Sequence, residues 1–418
     1  MTPFQISVLF FLQLAVVLVV CRAVSWLARR VGQPPVVGEM IAGVALGPSL
    51  FGLLAPGLQA QLFPPASRPI LFCGAQLGLV LYMFIVGLEF RLDLVRTRLR
   101  TALAVSFSGI LAPFALGCAI ALWLLKTGGL FQASVSPLQA APYLGAAMAI
   151  TAFPMLARII VERGLAGTSV GALALAAGAI DDAAAWCVLA LVLASFASDP
   201  SIALFAIGGS LALVFVVYTV GRRLFAAIAA RAERGAGDDH AMFGLTLVLL
   251  MLAAWFTDSI GIYAVFGAFI LGSAFPRGPF TERLRAKTEP LTVQLLLPLF
   301  FIYSGLNTRF DLVTDPGLWL VAAAILGAAV LGKAGACYLA ARLCGENHRE
   351  AMGVGSLMNA RGLMELIILN IGLERGLITP ALFSIMVLMA VVTTLMATPM
   401  FNRLYGRPAG TPSPASLE

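Results

Sequence analysis

Apolar stretches of about twenty residues recur along nearly the whole chain, interrupted by short polar loops. An α-helix rises about 1.5 Å per residue, so each stretch is long enough to cross a hydrocarbon layer of about 30 Å. The pattern predicts thirteen such helices, near residues 5–27, 35–54, 69–89, 101–125, 140–160, 168–196, 202–221, 241–257, 259–275, 290–305, 317–341, 351–372 and 378–402. The expected fold class is therefore all-α and polytopic, with one transmembrane domain over residues 1–405. Residues 406–418, rich in Pro, Gly and Ser, read as a disordered tail. The start, Met1-Thr2-Pro3-Phe4, has no basic leader and runs into a segment too long for a signal peptide, so it is expected to stay as the first helix.

Composition leaves no soluble domain of useful size: of 418 residues, 60% are hydrophobic and 11% charged. Cys21, Cys73, Cys118, Cys187, Cys337 and Cys344 are scattered without metal-type spacing and read as small core residues. Placing loops alternately on two sides puts about 20 of the 27 Lys and Arg on one of them, including Arg29, Arg30, Arg96, Arg98, Arg100, Arg222, Arg223, Arg283, Arg285 and Arg342. The other side receives Arg68, Lys126, Arg309 and Arg375. That asymmetry predicts a multi-pass protein of the cell membrane with its N-terminus outside and its C-terminus in the cytoplasm. The pI of 9.3 then reflects topology in a lipid bilayer, and no nucleic-acid partner is expected.

An internal repeat organises the segments. Segment three ends Gly87-Leu88-Glu89-Phe90-Arg91-Leu92-Asp93-Leu94-Val95 and segment ten ends Gly305-Leu306-Asn307-Thr308-Arg309-Phe310-Asp311-Leu312-Val313, a shared G-L-x-x-R-x-D-L-V at an offset of 218. Glu162-Arg163-Gly164-Leu165 after segment five returns as Glu374-Arg375-Gly376-Leu377 after segment twelve, at an offset of 212. Both pairs lie seven segments apart, and an odd offset reverses the direction of crossing. Residues 1–200 and 241–405 are thus expected to form an inverted-topology repeat, with segment seven as connector.

Chemistry enters with the charges that lie at membrane depth. Asp181 and Asp182 sit near the middle of roughly thirty residues, Thr168 to Phe196, whose only other ionisable group is Cys187. Each carboxylate there costs at least ~2.5–3.5 kcal/mol, which points to an ion or proton site. Segments five and twelve carry helix-breaking sequence at equivalent places. Pro154 follows Thr151-Ala152-Phe153, removing a hydrogen bond and disfavouring helix at Phe153. In segment twelve, Asn359-Ala360-Arg361-Gly362-Leu363-Met364-Glu365 puts glycine, arginine and glutamate in the membrane, and Glu365 can offset an exposed half-helix N-terminus. Lys333, flanked by Gly332 and Gly335, needs an anion, and the aspartate pair is the deepest one available. Consecutive helical residues diverge by about 100°, so one aspartate can pair with Lys333 while the other faces water.

These residues resemble the membrane domain of the monovalent cation:proton antiporters. The similarity is to the second branch of that superfamily, which includes bacterial sodium/proton antiporters, glutathione-gated potassium efflux systems and plant cation/proton exchangers. It covers all thirteen segments and is most specific at Ile150-Thr151-Ala152-Phe153-Pro154 with Ala157-Arg158, at Ile180-Asp181-Asp182-Ala183-Ala184-Ala185-Trp186, at Gly332-Lys333, and at Asn359 to Glu365. The resemblance implies a sodium/proton antiporter fold with two crossed discontinuous helices, segments five and twelve. It also implies Asp182 as the carboxylate that binds monovalent cation or proton, Asp181 facing Lys333, Thr151 near the ion and Glu365 near the crossing. Phe153, Pro154, Asn359, Arg361, Gly362 and Glu365 are expected to support the breaks.

The Asp-Asp-Lys set is associated by resemblance with electrogenic exchange of Na+, with Li+ a further candidate, and not with enzyme catalysis. Proton and cation exclude one another on Asp182, and hard cations prefer the oxygen ligands present there. A potassium/proton antiporter with the same site is the nearest alternative, and a cation-sensing receptor that does not transport is one of another class. No G-x-x-x-x-G-K-[ST] pattern for an ATP-driven pump occurs, and no cofactor is expected. A homodimer is implied by resemblance; Gly38, Gly43 and Gly47 of segment two and Gly267 and Gly272 of segment nine are small-residue runs that allow close helix contact, either between protomers or within one.

Overall fold

The computed structural model describes residues 2–33, 35–89, 98–151, 153–162, 164–165, 168–196, 201–234, 236–260, 263–309, 312 and 315–405. Among them no strand forms; a single isolated bridge pairs Phe131 with Ile378. The helices follow the apolar segments and are numbered with them: α1 Pro3–Arg30, α2 Pro35–Leu46, α3 Arg68–Glu89, α4 Leu99–Thr127, α5a Pro137–Ala149, α5b Phe153–Glu162, α6 Ser169–Phe196, α7 201–234, α8 Ala236–Ser259, α9 Ala264–Ser273, α10 Pro279–Leu306, α11 Pro316–Leu343, α12a His348–Met358, α12b Leu363–Glu374 and α13 Pro380–Tyr405. By length and composition, nine helices among the described residues can cross a membrane, fewer than the thirteen expected. Helix α9 is short, segments five and twelve are each split in two, and most side chains of α6 beyond Asp181 lie outside the described residues. The tail from 406 lies outside the described residues.

Other departures from the expected boundaries follow local chemistry. Helix α2 stops at Leu46, eight residues early, because Pro48 disfavours helical geometry at Gly47. Helices α7 and α10 run longer than expected because Arg222–Arg234 and Pro279–Leu291 are polar and amphipathic, so the hydrophobic pattern registers only the apolar half of each. Helix α11 starts on Asp315, whose carboxylate accepts the Gly317 N–H at 3.2 Å, with Pro316 at its first position. Helix α12a starts on Asn347, whose side chain accepts the Glu350 N–H at 2.8 Å.

The chain divides into two compact units, each discontinuous in sequence: residues 1–18, 63–91 and 193–303, and residues 19–62, 92–192 and 304–418. In the first, α3 and α9 approach so closely at Gly87 and Gly272 that a Cβ on either would strike the other helix's backbone. Phe275 stacks on Phe225 at 4.5 Å and meets Phe84 edge-on at 5.7 Å. In the second, Gly305 at the end of α10 lies against the Gly43 carbonyl of α2, and Gly47 against the Gly305 carbonyl. Gly87 and Gly305 are the repeat-related pair, and each makes a backbone-to-backbone contact with a glycine.

That packing settles which of two partners the glycine runs meet. Gly43, Gly47 and Gly272 are taken up inside the chain, as are Gly38 against Ser25 and Gly267 against Ala253 and Thr257. These glycines therefore carry no argument for an interface between two protomers. The Gly-Leu pairs that close the Glu-Arg-Gly-Leu repeats are alike in geometry as well as sequence. Gly164 and Gly376 both have φ +65°, the left-handed conformation that ends a helix without a Cβ penalty. The Leu165 N–H then reaches the Ile160 carbonyl at 2.9 Å and the Leu377 N–H the Gly372 carbonyl at 2.8 Å, the same six-to-one closure in both halves.

Gly305→Ala is expected to lower stability in detergent by about 1–3 kcal/mol through overpacking against α2. Gly327→Ala on α11, where a Cβ meets nothing within 4 Å, is the control and should leave the unfolding temperature unchanged or slightly raised.

Candidate functional site

The site is built where two helices stop inside the fold. Helix α5a ends at Ala149 and Ile150 turns extended, with φ −66° and ψ 133°. Phe153, buried, restarts the chain with its N–H on the Thr151 carbonyl at 3.1 Å. Pro154 supplies the reason, since it has no N–H to give and disfavours helix in the residue before it; its side chain and Ala152 lie outside the described residues. Helix α12a ends at Met358, and Asn359 to Gly362 form the second break. Thr394 of α13 pins that break: its hydroxyl accepts the Arg361 N–H at 3.0 Å and donates to the Arg361 carbonyl at 2.6 Å.

Asp181 of α6 is fully buried and gathers three donors from three other elements. Lys333 Nζ donates to its Oδ2 at 2.6 Å, the Thr151 hydroxyl donates to the same oxygen, and the Ser106 hydroxyl of α4 donates to Oδ1 at 3.4 Å. Lys333, also fully buried, sends a second proton to the Ala149 carbonyl at 2.5 Å, one of the acceptors freed by the end of α5a. The lysine sits in a widened, π-type turn, Leu331–Gly335. Gly109 of α4 lies beside it; a Cβ there would collide with Cys337 Sγ at 2.7 Å while meeting Lys333 Nζ at an ordinary contact distance of 3.7 Å, so the glycine is what lets α4 pack against Cys337. A buried ammonium and a buried carboxylate are tolerable together because each satisfies the other's hydrogen bonds.

The second break holds a separate polar cluster. Arg361, Glu365 and Asn359 are each fully buried, and Arg361 Nη1 lies 3.5 Å from Glu365 Oε1. The Asn359 amide reaches the Thr393 carbonyl at 3.4 Å. Helix α12b, which starts there, packs on α5a: the Tyr143 hydroxyl donates to the Ile368 carbonyl at 3.0 Å, and Gly372 leaves space for the Tyr143 ring.

Of the residues singled out in the sequence, Thr151, Asp181 and Lys333 meet in one hydrogen-bonded group, while Asn359, Arg361, Gly362 and Glu365 lie at the second break. Thr151 directs its proton to Asp181. Asp182 follows Asp181 in α6, and its side chain lies outside the described residues. Sequence reading missed Ser106, Gly109, Thr394 and the Ala149 carbonyl. Ser106 and Ser108 are both small polar residues in an apolar segment, with nothing in the pattern to choose between them, and a backbone carbonyl carries no sequence signal at all.

Residues 15–404 match the family described as "Sodium/hydrogen exchanger, transmembrane". The protein named Na(+)/H(+) antiporter NhaS4 from Synechocystis sp. is 39% identical over 405 residues, covering 96% of this chain and 98% of that one. The protein named K(+)/H(+) antiporter 1 from Saccharomyces cerevisiae is 32% identical over 408 residues, covering 95% of this chain and 46% of that one, so this chain spans about half its length. The solved structure of the sodium proton antiporter MjNhaP1 from Methanocaldococcus jannaschii superposes with a TM-score of 0.68 over 97% of each chain at 16% identity, which shows a common fold.

Removing one member of the buried pair leaves the other charge uncompensated. Lys333→Gln and Asp181→Asn are each expected to destabilise by about 3–5 kcal/mol, less for whichever survivor its remaining donors or acceptors support. The double variant should lose much less than the sum, read as a coupling energy from thermal unfolding in detergent. Additive losses would mean that the two side chains do not act as a pair.

Proposed function

The chain belongs to the sodium/hydrogen exchanger family, and from that premise we propose that it is a secondary active antiporter exchanging a monovalent cation, Na+ in preference, for protons across the membrane. The observation that carries the reading is the buried Lys333–Asp181 pair, anchored through Ala149 to the break of α5. Asp182, next to that pair, is the carboxylate on which cation and proton compete. Cation ligands there are oxygen atoms: the Asp182 carboxylate, the Thr151 hydroxyl and carbonyls freed at the break. A cation beside Asp181 adds a second positive charge near Lys333. At about 4 Å two like charges repel by about 4 kcal/mol in a medium of effective dielectric 20, enough to break the pair and release a further proton. Exchange would then move about two protons per cation and be driven by the membrane potential, worth about 2.3 kcal/mol per charge per 100 mV. Alternating access presents the site to each side in turn, with the Arg-rich loops in the cytoplasm.

Sodium is favoured because a relative that is 39% identical and matched nearly end to end on both chains is named a sodium antiporter. Potassium is the second reading, since a relative named a potassium antiporter shares 32% of the matched residues. A homodimer rests on resemblance alone; one protomer's mass in light scattering, at full transport activity, would remove it.

In proteoliposomes, Na+, Li+ and K+ gradients compared side by side are expected to drive proton movement in the order Na+ first, and an imposed membrane potential should change the rate. Asp182→Asn keeps the side chain's size but cannot exchange a proton, so flux should fall to background while the protein stays folded. Normal exchange by that variant would sink the assignment, and flux indifferent to potential would sink the two-proton coupling.

A further inference from the structure

Arg361 and Glu365 do not make the close pair that their spacing allows. Guanidinium and carboxylate in direct contact share hydrogen bonds of about 2.7–2.9 Å, often as a fork. Here the nearest approach is 3.5 Å, and Arg361 Nε, Nη1 and Nη2, Glu365 Oε1 and Oε2, and Asn359 Oδ1 carry no hydrogen bond among the described residues, all at zero exposure. Six buried polar atoms at one helix break, three of them donors and three acceptors, are the kind of group that internal water satisfies.

The charges are also placed with the backbone. Arg361 follows the C-terminal end of α12a, where unpaired carbonyls favour a cation, and Glu365 lies in the first turn of α12b, where unpaired N–H groups favour an anion. The other ionisable groups facing Glu365 are Lys333 from α11 and Tyr143 from α5a, whose hydroxyl proton is already given to Ile368. Helix α13, packed along α12b, has no charged residue before Arg403. Among the described residues Glu365 is therefore a carboxylate with both oxygens open and two cations in electrostatic reach.

We propose that Arg361, Asn359 and Glu365 bound an internal water site at the break of α12, and that Glu365 takes up and releases a proton through it during the exchange cycle, separately from the Asp181/Asp182 pair. The proton comes from water and returns to it, Arg361 keeps its charge, and no other bond changes. The cycle in this statement rests on the antiporter reading; the protonation of the site does not.

Infrared difference spectroscopy of the whole protein in lipid, stepped between alkaline and acidic buffer, tests it. The expected result is a carboxyl C=O stretching band that appears on acidification, shifts in D2O, disappears in Glu365→Gln, survives in Asp182→Asn and moves in frequency in Glu365→Asp. A pH-dependent band unchanged in Glu365→Gln, or no such band, overturns the proposal. Should Glu365→Gln fail to fold, carbon-13 labelling of the glutamates in the unmodified protein replaces it: the band must shift, and a band that ignores the label overturns the proposal. The flux assay on Asp182→Asn fails or succeeds independently, so loss of the antiporter reading and loss of this site are told apart.

Discussion

The ammonium of Lys333 ties a broken helix to a membrane-buried acid. One proton goes to Asp181 on α6 and another to the last carbonyl of α5a, so the end of a helix, the charge on its neighbour and the lysine of a third element are fixed by one group. Each part is unfavourable alone: an ammonium without water, a carboxylate without water, and a carbonyl without its N–H. Together they satisfy one another. On the proposed function, a cation arriving nearby would disturb all three at once and so link ion occupancy to the backbone geometry at the break.

The two breaks use different means to the same end. In α5 the helix ends ahead of Pro154, the Phe153 N–H turns to the Thr151 carbonyl, and Lys333 donates to the Ala149 carbonyl left free. In α12 a glycine-bearing turn is pinned by Thr394, and the exposed helix ends are matched by Arg361 and Glu365. Tyr143 holds the two half-helices α5a and α12b together by donating to a backbone carbonyl at 3.0 Å. Glycines then let helices approach to backbone contact, at Gly87 with Gly272 and at Gly305 with Gly43, where any side chain would hold them apart.

Much of this was legible in the sequence because the bilayer makes rare residues conspicuous. Asp181, Asp182, Lys333 and Glu365 stand out against apolar stretches, and Pro154 and Gly362 mark the breaks without any knowledge of packing. The Gly-Leu pairs of the Glu-Arg-Gly-Leu repeat read as identical turns because a glycine at φ +65° leaves the chain little choice there. What stayed hidden depends on position and not on residue type. Ser106 and Gly109 matter because α4 brings them against Asp181 and Cys337, and Thr394 matters because α13 passes the break. The glycine runs of segments two and nine left two partners open for the same reason: small residues announce close approach but not whether the partner is in the same chain. The polar halves of α7 and α10 were invisible to a hydrophobic pattern that registers only burial in lipid.

The central claim is that cation and proton exclude each other at the carboxylates beside Lys333. Its most direct test is calorimetric titration of Na+ into the purified protein in two buffers of different protonation enthalpy. Binding should release protons, seen as a heat that changes with the buffer, and both binding and release should vanish in Asp182→Asn. Saturable Na+ binding with a heat independent of buffer would contradict the account.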